Sequence, residues 1–279
     1  MSLDQPISDS KLVTIIEKVL QRKGIDLNRY KITFLKRRLE IRMRIRGITD
    51  YSKYALILND DPTELSDFFQ SLSINVTQFF RDTKMFQLFS DAIIPKILSG
   101  AKSFDHIKIW SAGCASGEEP YSIAALFRNA LGNSKGPSVE ITATDVSKKA
   151  IEFAKSGIYD PAAFKDFPPD LFSKFFRPMQ NNDSLHTKYE VLPEIKQMID
   201  FRVDDLLSNA LQTYDVIFCR NVLIYYTKEA HDLIFARFYK SLKQSGYLVL
   251  GMDETMLGTK AEKLFSLEYV KERIYMRNN

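Results

Sequence analysis

Hydrophobic residues recur at helical spacing through about the first ninety residues of the chain. The segment LVTIIEKVL (12–20) has apolar residues three and four positions apart, and Gly24 follows it as a C-cap. The same spacing predicts further helices over 51–58, 63–72 and 83–98. The N-terminal region is therefore expected to be all-α.

A helix is also predicted over 28–47, where the pattern permits two interpretations. The alternation in IRMRIR (41–46) is typical of a strand, but the helical period continues into it and Gly47 then ends it, which favours a helix. The residues available for its inner face are Phe34, Leu35, Leu39 and Met43.

From residue 106 the pattern changes to short apolar runs that alternate with amphipathic segments. Strands are predicted at 106–113, 139–146, 198–206, 214–221 and 246–252, followed by a terminal pair near FSLEYV and RIYMR. The intervening helices are predicted at 118–131, 147–157 and 228–244. Strand and helix in repeated alternation indicate βαβ units, a parallel sheet and right-handed crossovers.

Residues 158–197 interrupt this alternation. They contain five prolines and five phenylalanines, and a polar stretch, QNNDS, that is typical of a loop tip. The segment is expected to form a small inserted subdomain or lid.

Composition and charge narrow the class of protein. The 45% hydrophobic fraction supports a real core, and the 27% charged fraction does not indicate disorder. The segment KRRLEIRMRIRG (36–47) holds six basic side chains and one acid, which alone exceeds the net charge of +4 for the whole chain. The basicity is thus local and favours a patch for one acidic partner over a generally cationic protein.

Cysteine, histidine and apolar runs give no further site. Cys114 and Cys219 stand far apart, and the three histidines form no ligand pair, so no metal is expected. The N-terminal residues do not resemble a signal peptide, and no run is long enough to span a membrane. A reduced, cytoplasmic protein is the resulting expectation.

The strongest chemical signal is IWSAGCASGEEPYS (109–122), a strand that leads through small residues into a helix. Small residues such as Gly113 let a ligand approach the backbone. Glu118 and Glu119 stand where a phosphate loop would avoid carboxylates, so the loop suits a ligand with positive charge. The alternative is that both acids only stabilise the helix dipole, worth about 0.3–1 kcal/mol.

Asp145 ends the next predicted strand, where a carboxylate can accept both hydroxyls of a ribose. No GxGxxG motif is present, so the loop does not match the pyrophosphate pattern of dinucleotide folds. A nucleoside with a cationic group and no pyrophosphate fits better, and S-adenosylmethionine is such a molecule.

The motifs INVTQFFRD (74–82), IWSAGCASGEEPYS, ATDVS (143–147), SGIYD (156–160) and FCRNVLIYY (218–226) occur in this order. Together they resemble the chemotaxis receptor glutamate O-methyltransferases, the CheR type, over nearly the whole chain. The resemblance implies a helical N-terminal domain with linker (1–82) and a Rossmann-like class I methyltransferase domain (83–279). It also implies that the insertion 158–197 is a small antiparallel β subdomain.

The resemblance also implies a site for S-adenosylmethionine and its product S-adenosylhomocysteine. The matching positions are Asn75, Thr77 and Arg81 in the linker, Gly113, Glu118 and Glu119 in the loop, then Asp145, Asp205, Leu206, Arg220 and Asn221. Which of Glu118 and Glu119 holds the α-amino group stays open. Arg81 and Tyr225 match the residues at the methyl-transfer centre.

The implied reaction moves a methyl group to glutamate side chains in the cytoplasmic helical domain of chemotaxis receptors. A glutamate with a pKa near ~4.3 is ionised at neutral pH and needs no general base. The docking residues are predicted to be Arg37, Arg38, Arg42, Arg44 and Arg46. A monomer is expected, without membrane insertion or nucleic-acid binding.

Residues 177–191 contain no glycine, whereas the relatives that grip a receptor tether have a glycine-containing insertion there, so tether-independent recognition is predicted. An RNA or other methyltransferase and a non-catalytic cofactor-sensing scaffold remain alternatives. A nicotinamide oxidoreductase is disfavoured by the missing glycine motif.

Overall fold

A computed structural model describes residues 27–73, 77–102, 105–132, 136–179, 187–208 and 212–279. The predicted helix at 12–20, the QNNDS stretch and Asn75 lie outside the described residues. The chain divides into two compact units, Met1–Ile74 with Tyr225–His231, and Asn75–Ile224 with Asp232–Asn279. Within the described ranges, no helix is long and apolar enough to cross a membrane.

The first unit is helical where it is described. Its elements are a 3₁₀ turn at Leu27–Arg29 and helices α1 (Ile32–Ile45), α2 (Tyr51–Asp60) and α3 (Pro62–Ser71). The four residues predicted for the inner face of α1 are all buried, and the IRMRIR segment is helical, so the helix interpretation is confirmed. The carboxylates of Asp50 and Asp61 cap α2 and α3 by accepting backbone N–H groups.

A buried carboxylate holds α1 to α3. Both oxygens of Glu64 accept hydrogen bonds from Arg42, at 2.9 and 2.7 Å, and the Tyr54 hydroxyl donates a third at 2.6 Å. The Glu64 side chain is fully buried, and Arg46 lies 3.6 Å from it. Burial raises the pKa of Glu64, but the donors Arg42 and Tyr54 outweigh burial and hold this pKa below its usual range.

The second unit is built on a seven-stranded sheet. Its strands are β1 (His106–Ala112), β2 (Ser138–Asp145), β6 (Ile199–Val203), β7 (Tyr214–Cys219), β8 (Leu242–Leu250), β9 (Phe265–Tyr269) and β10 (Ile274–Arg277). They lie in the order β6-β2-β1-β7-β8-β10-β9, and only the pairings made by β10 are antiparallel. The strand order reverses between β1 and β7, which is where open α/β sheets bind ligands at the carboxyl ends of their strands.

Helices flank the alternation of strands as predicted. They are α4 (Thr83–Leu88), a π-helical turn (Phe89–Ile93), α5 (Ile94–Gly100), α6 (Glu118–Leu131), α7 (Lys148–Ser156), α8 (Pro169–Phe175), α9 (Pro193–Lys196) and α10 (Lys228–Ser241). The helix predicted over 83–98 is thus interrupted by the π turn. The parallel α/β architecture follows the sequence prediction.

The boundary between α10 and β8 differs from the prediction. Helix α10 ends at Ser241 and β8 begins at Leu242, whereas the sequence pattern predicts a helix to 244 and a strand from 246. Pairing with β7 overrides the local helical pattern, because Leu242 lies opposite Tyr214. The Lys243 ammonium also forms an ion pair at 2.7 Å with Asp215 of β7.

The predicted antiparallel subdomain is present between α7 and β6. Strands β3 (Ile158–Tyr159), β4 (Phe176–Pro178) and β5 (Tyr189–Val191) form a separate sheet in the order β3-β5-β4. Its aromatic cluster receives Phe79 of the linker, which stacks on Phe164 with ring centroids 4.7 Å apart. The Phe79 ring is fully buried, so this contact anchors the linker within the second unit.

We expect Arg42→Ala to destabilise the first unit by about 3–5 kcal/mol, because the buried Glu64 carboxylate loses its charged partner. Hydrogen exchange of the amides in α1 and α3 measures the effect locally, and urea unfolding measures it globally. The matched control is Arg44→Ala, which removes an exposed arginine from the same helix and is expected to stay within about 0.5 kcal/mol of the wild type.

The ion pair between Arg42 and Glu64 also predicts that stability depends on pH in the acid range. The pKa of Glu64 is lower in the folded state, so its contribution to stability is present at neutral pH and is lost as the pH falls through this pKa. The difference in the free energy of unfolding between the wild type and Arg42→Ala should therefore decrease in acid. Equal loss of stability in the two arginine variants would contradict the assignment.

Candidate functional site

The loop between β1 and α6 is shaped by residues with positive φ. Gly113, Ala115 and Gly117 have φ values of 81°, 46° and 96°. A Cβ atom at Gly113 would overlap the Val222 side chain, and one at Gly117 would lie 2.8 Å from the Cβ of Ala154. Only glycine fits these two positions, so the backbone of the loop runs close to Val222 and Ala154.

Asp145 ties this loop to the end of β2. One of its carboxylate oxygens accepts the Ala115 N–H at 2.9 Å, and the other accepts the Ser147 N–H at 2.9 Å. Asp145 therefore ties the Ala115 backbone to the carboxyl end of β2.

The two neighbouring acids of the loop have different partners. Both oxygens of Glu118 lie within hydrogen-bonding distance of the Ser116 hydroxyl, at 3.0 and 2.8 Å. Glu119 instead accepts the Ser111 hydroxyl at 2.8 Å and the Arg220 guanidinium at 3.2 Å. Burial raises the pKa of both acids, and for Glu119 the charge of Arg220, the Ser111 hydroxyl and the charge of Arg81 act against this rise. Glu119 is thus the acid at the carboxyl ends of β1 and β7.

Arg220 is the most connected side chain of the site. It follows β7 and is only 3% exposed. Its guanidinium donates to Glu119, to the Asp82 carboxylate at 2.6 Å and to the Arg81 carbonyl at 2.8 Å, and it lies over the Phe86 ring. Its Nε is buried and has no hydrogen-bond partner in the parts of the chain that the structure describes. This one arginine therefore joins the loop, the linker and the end of β7.

The backbone around Arg81 is unusual on both sides. Phe80 and Asp82 have φ values of 54° and 64°, although neither is glycine. The Phe80 N–H donates to the Ser122 hydroxyl of α6 at 3.1 Å, and Arg220 donates to the Arg81 carbonyl. Left-handed backbone at non-glycine residues costs free energy and clusters at functional sites. Thr77 lies just before this turn and is partly exposed.

Asp205 and Leu206 follow β6. The Asp205 carboxylate caps its own turn by accepting the Leu207 N–H at 2.7 Å, and Leu206 is buried. The carbonyls of both residues accept hydrogen bonds from Arg237, at 3.1 and 2.5 Å. Arg237 in turn lies over the Trp110 ring of β1, at 5.0 Å from its centroid. Arg237, a side chain not selected from the sequence, thus holds this turn, and Trp110 packs against Arg237.

Tyr225 belongs to the first unit. Its ring packs on Phe34 of α1 with centroids 4.8 Å apart, and its carbonyl accepts the Lys31 N–H at 2.9 Å. Burial lowers the pKa of Arg38, and the nearby Tyr225 acts against that shift. Tyr226 packs on Tyr30 in the same unit, with their hydroxyls 3.2 Å apart. Tyr225 is therefore a partly exposed side chain with a fixed backbone.

The five arginines predicted to dock a partner fall into different environments. Arg42 and Arg46 form ion pairs inside the first unit, with Glu64 and Asp61 among their partners. Arg38 is half-buried against Phe34. Arg37 and Arg44 are exposed, and because they are seven positions apart they lie on one face of α1. Arg46 is exposed as well, but its ion pairs hold it to Asp61 and Glu64, so the structure separates Arg37 and Arg44 from three arginines that also serve the fold.

Sequence reasoning missed Asp82, Ser111 and Ser122. Asp82 is the last residue of the linker motif and pairs with Arg220; the Ser111 hydroxyl donates to Glu119, and the Ser122 hydroxyl accepts the Phe80 N–H. The adjacency of Asp82 to Arg81 was the one available signal. The serine roles depend on tertiary contacts that no local pattern shows.

The described residues fit S-adenosylmethionine. The orphaned Nε of Arg220 is buried beside an acid and the Arg81 turn, so the donor set offers both charges that an amino-acid zwitterion needs. The Asp145 carboxylate stands at the carboxyl end of β2, beside a glycine loop that is closely packed. A Rossmann-like sheet with these groups at its switch point defines an S-adenosylmethionine-dependent methyltransferase.

Comparison with known proteins identifies the family. Residues 75–272 match the CheR methyltransferase SAM-binding domain, and residues 11–73 match the CheR methyltransferase all-alpha domain. A chemotaxis protein methyltransferase of Borreliella burgdorferi is 30% identical over 99% of this chain and 97% of its own length. A chemotaxis protein methyltransferase of Escherichia coli is 32% identical over 94% of this chain and 89% of its own. The chain therefore belongs to the CheR methyltransferase family.

We expect Glu119→Gln to weaken binding of S-adenosylhomocysteine by roughly 10- to 100-fold, since a hydrogen bond to a charged group contributes about 1.5–3 kcal/mol. Glu118→Gln makes the same substitution at the neighbouring acid, and we expect it to lower the affinity for S-adenosylhomocysteine by less than about threefold. Titration calorimetry of both variants measures the difference. The reverse order of effects would assign the α-amino group to Glu118.

Proposed function

We propose that the protein transfers the methyl group of S-adenosylmethionine to glutamate carboxylates in the helical cytoplasmic domain of chemotaxis receptors. The observation that carries this proposal is the Arg81 turn, with left-handed residues on both sides and its carbonyl fixed by the buried Arg220. Membership of the CheR family and relatives named chemotaxis protein methyltransferases support the same reaction.

The residues of the second unit would divide the cofactor between them. Glu119 accepts the α-amino group, and Arg81 lies near the methionine part and orients the acceptor carboxylate at the reacting centre. Asp145 accepts the ribose hydroxyls, and the turn at Asp205 and Leu206 borders the adenine. When bound, S-adenosylmethionine supplies an electrophilic methyl group on a sulfonium. Charged side chains thus recognise the amino-acid end of the cofactor, and the shape of the turn at Asp205 and Leu206 recognises the adenine end.

The acceptor needs positioning more than proton transfer. A glutamate is ionised at neutral pH, so its oxygen is already a nucleophile. Alignment of the carboxylate oxygen with the methyl carbon can supply roughly 7–11 kcal/mol of the barrier reduction. Cys114 and Cys219 are fully buried, and burial raises the pKa of each thiol, so neither is a thiolate base. The roles of orienting the acceptor fall to Arg81 and Tyr225.

We expect Arg81→Ala and Tyr225→Phe to reduce kcat at least about tenfold while the affinity for S-adenosylhomocysteine changes much less. The reason is that a group acting on the acceptor stabilises the transition state and not the bound cofactor. Steady-state methylation of a receptor fragment gives kcat, and calorimetry gives the affinity. An unchanged kcat in both variants would remove these assignments.

Receptor docking is assigned to the exposed face of α1. Arg37 and Arg44 are exposed, whereas Arg42 and Arg46 are held by acids of the first unit. Exposed charge steers an acidic partner and mainly changes the association rate. The docking proposal therefore rests on Arg37 and Arg44, and Arg38 completes the basic segment beside them.

We expect the double charge reversal Arg37→Glu with Arg44→Glu to lower kcat/KM for the receptor fragment about tenfold or more at low salt. The affinity for S-adenosylhomocysteine should remain unchanged. The effect should shrink as salt is added, because exposed charges are screened. The matched control reverses two exposed lysines of α7, Lys149→Glu with Lys155→Glu. Equal losses in the two double variants would show a general charge effect and not a docking face.

A further inference from the structure

Glu254 is a buried acid with no part in the cofactor contacts described above. It follows β8 and is 4% exposed. Its carboxylate accepts four backbone N–H groups, from Val222 and Leu223 on one oxygen, at 2.8 and 2.7 Å, and from Asn221 and Gly251 on the other, at 3.0 and 2.6 Å. All four acceptor sites of the carboxylate are thus in use.

These N–H groups form an anion nest that the chain fills with its own carboxylate. Three of them belong to consecutive residues that follow Arg220, and Asn221 has a φ of 59°, so this turn is not a relaxed backbone. Gly251 is required opposite it, because a Cβ there would lie 2.7 Å from the Glu254 carboxylate and 2.8 Å from the Asn221 nitrogen. Without the carboxylate, four converging N–H groups would be left without an acceptor.

The nest is connected to the glycine loop through Val222. Its N–H is bound by Glu254, and its side chain occupies the space in which a Cβ of Gly113 would lie. The neighbouring Arg220 holds Glu119 and the Arg81 carbonyl. The Glu254 carboxylate thus fixes the turn that follows Arg220, and this turn borders the glycine loop between β1 and α6.

We propose that Glu254 is a positioning residue, whose carboxylate fills the nest and thereby fixes the Arg220–Asn221 turn and, through Val222, the glycine loop that binds S-adenosylmethionine. Glu254 does not touch the cofactor. It acts through the backbone that presents Arg220 and through the packing on Gly113. The inference rests on cofactor binding and does not depend on which acceptor is methylated.

The test is chemical rescue of Glu254→Ala. Truncation leaves a small cavity lined by the four N–H groups, and formate has the size and charge of the missing carboxylate. We expect S-adenosylhomocysteine affinity to fall about tenfold or more, since a shift of the Arg220–Asn221 turn that removes even one hydrogen bond between a charged group and the ligand corresponds to this factor. Sodium formate should restore most of the loss, whereas sodium chloride at equal ionic strength should not.

The control is Glu262→Ala, since this exposed glutamate also accepts one backbone N–H, from Gly258 at 2.9 Å. It should keep wild-type affinity and show no response to formate. Glu254→Gln provides a second variant of unchanged size, in which the amide places N–H groups against N–H donors. Hydrogen exchange at residues 221–223 and 251 should then accelerate together with the loss of affinity.

Two results would overturn the proposal. One is an S-adenosylhomocysteine affinity within about twofold of the wild type in both Glu254 variants. The other is a loss in Glu254→Ala that formate does not relieve. If Glu254→Ala fails to fold, Glu254→Gln decides, and unchanged exchange and affinity in that variant would refute the role of the nest. Calorimetry without any acceptor keeps this outcome separate from the identity of the methylated substrate.

Discussion

The buried guanidinium of Arg220 is the interaction on which the site depends. A buried charge is tolerated only when its partners are fixed around it, and removal of one partner typically costs several kcal/mol. Arg220 meets this requirement with the Glu119 and Asp82 carboxylates and the Arg81 carbonyl. The planar guanidinium presents its donors in a rigid fork and binds all three in one geometry, whereas a lysine ammonium on its flexible stem would not fix them in this way. The start of α6, the linker turn and the end of β7 are therefore held in one arrangement.

Arginines serve two separate purposes in this chain, and pairing with carboxylates of the chain distinguishes the two. Arg220 and Arg42 are buried or nearly so, and carboxylates of their own compact units neutralise their charge. Arg37 and Arg44 are exposed, and their field extends into the solvent about as far as salt permits. The former fix local structure, and the latter are suited to attract an acidic partner. A count of basic residues in the sequence cannot make this distinction.

The sequence predicted the architecture because periodicity and small-residue loops are local signals. The strand alternation and the helical interpretation of IRMRIR were confirmed by the structure, and so was the antiparallel insertion, which only the family resemblance had implied. The end of α10 was misplaced, because the pairing of Leu242 with Tyr214 is a contact between distant segments. The different partners of Glu118 and Glu119 were equally out of reach, since they depend on Ser116, Ser111 and Arg220 in space. Glu254 carried no recognisable pattern, although it binds four backbone groups.

The chemistry of the methylated product tests most directly whether the methyl acceptor is a carboxylate. The measurement uses methyl-labelled S-adenosylmethionine with the cytoplasmic fragment of a chemotaxis receptor, followed by mild alkali and collection of volatile label. A methyl ester hydrolyses under these conditions, so the account predicts that the label is released as methanol. Label that stays on the receptor in alkali, or that is transferred to nucleic acid instead, would contradict it.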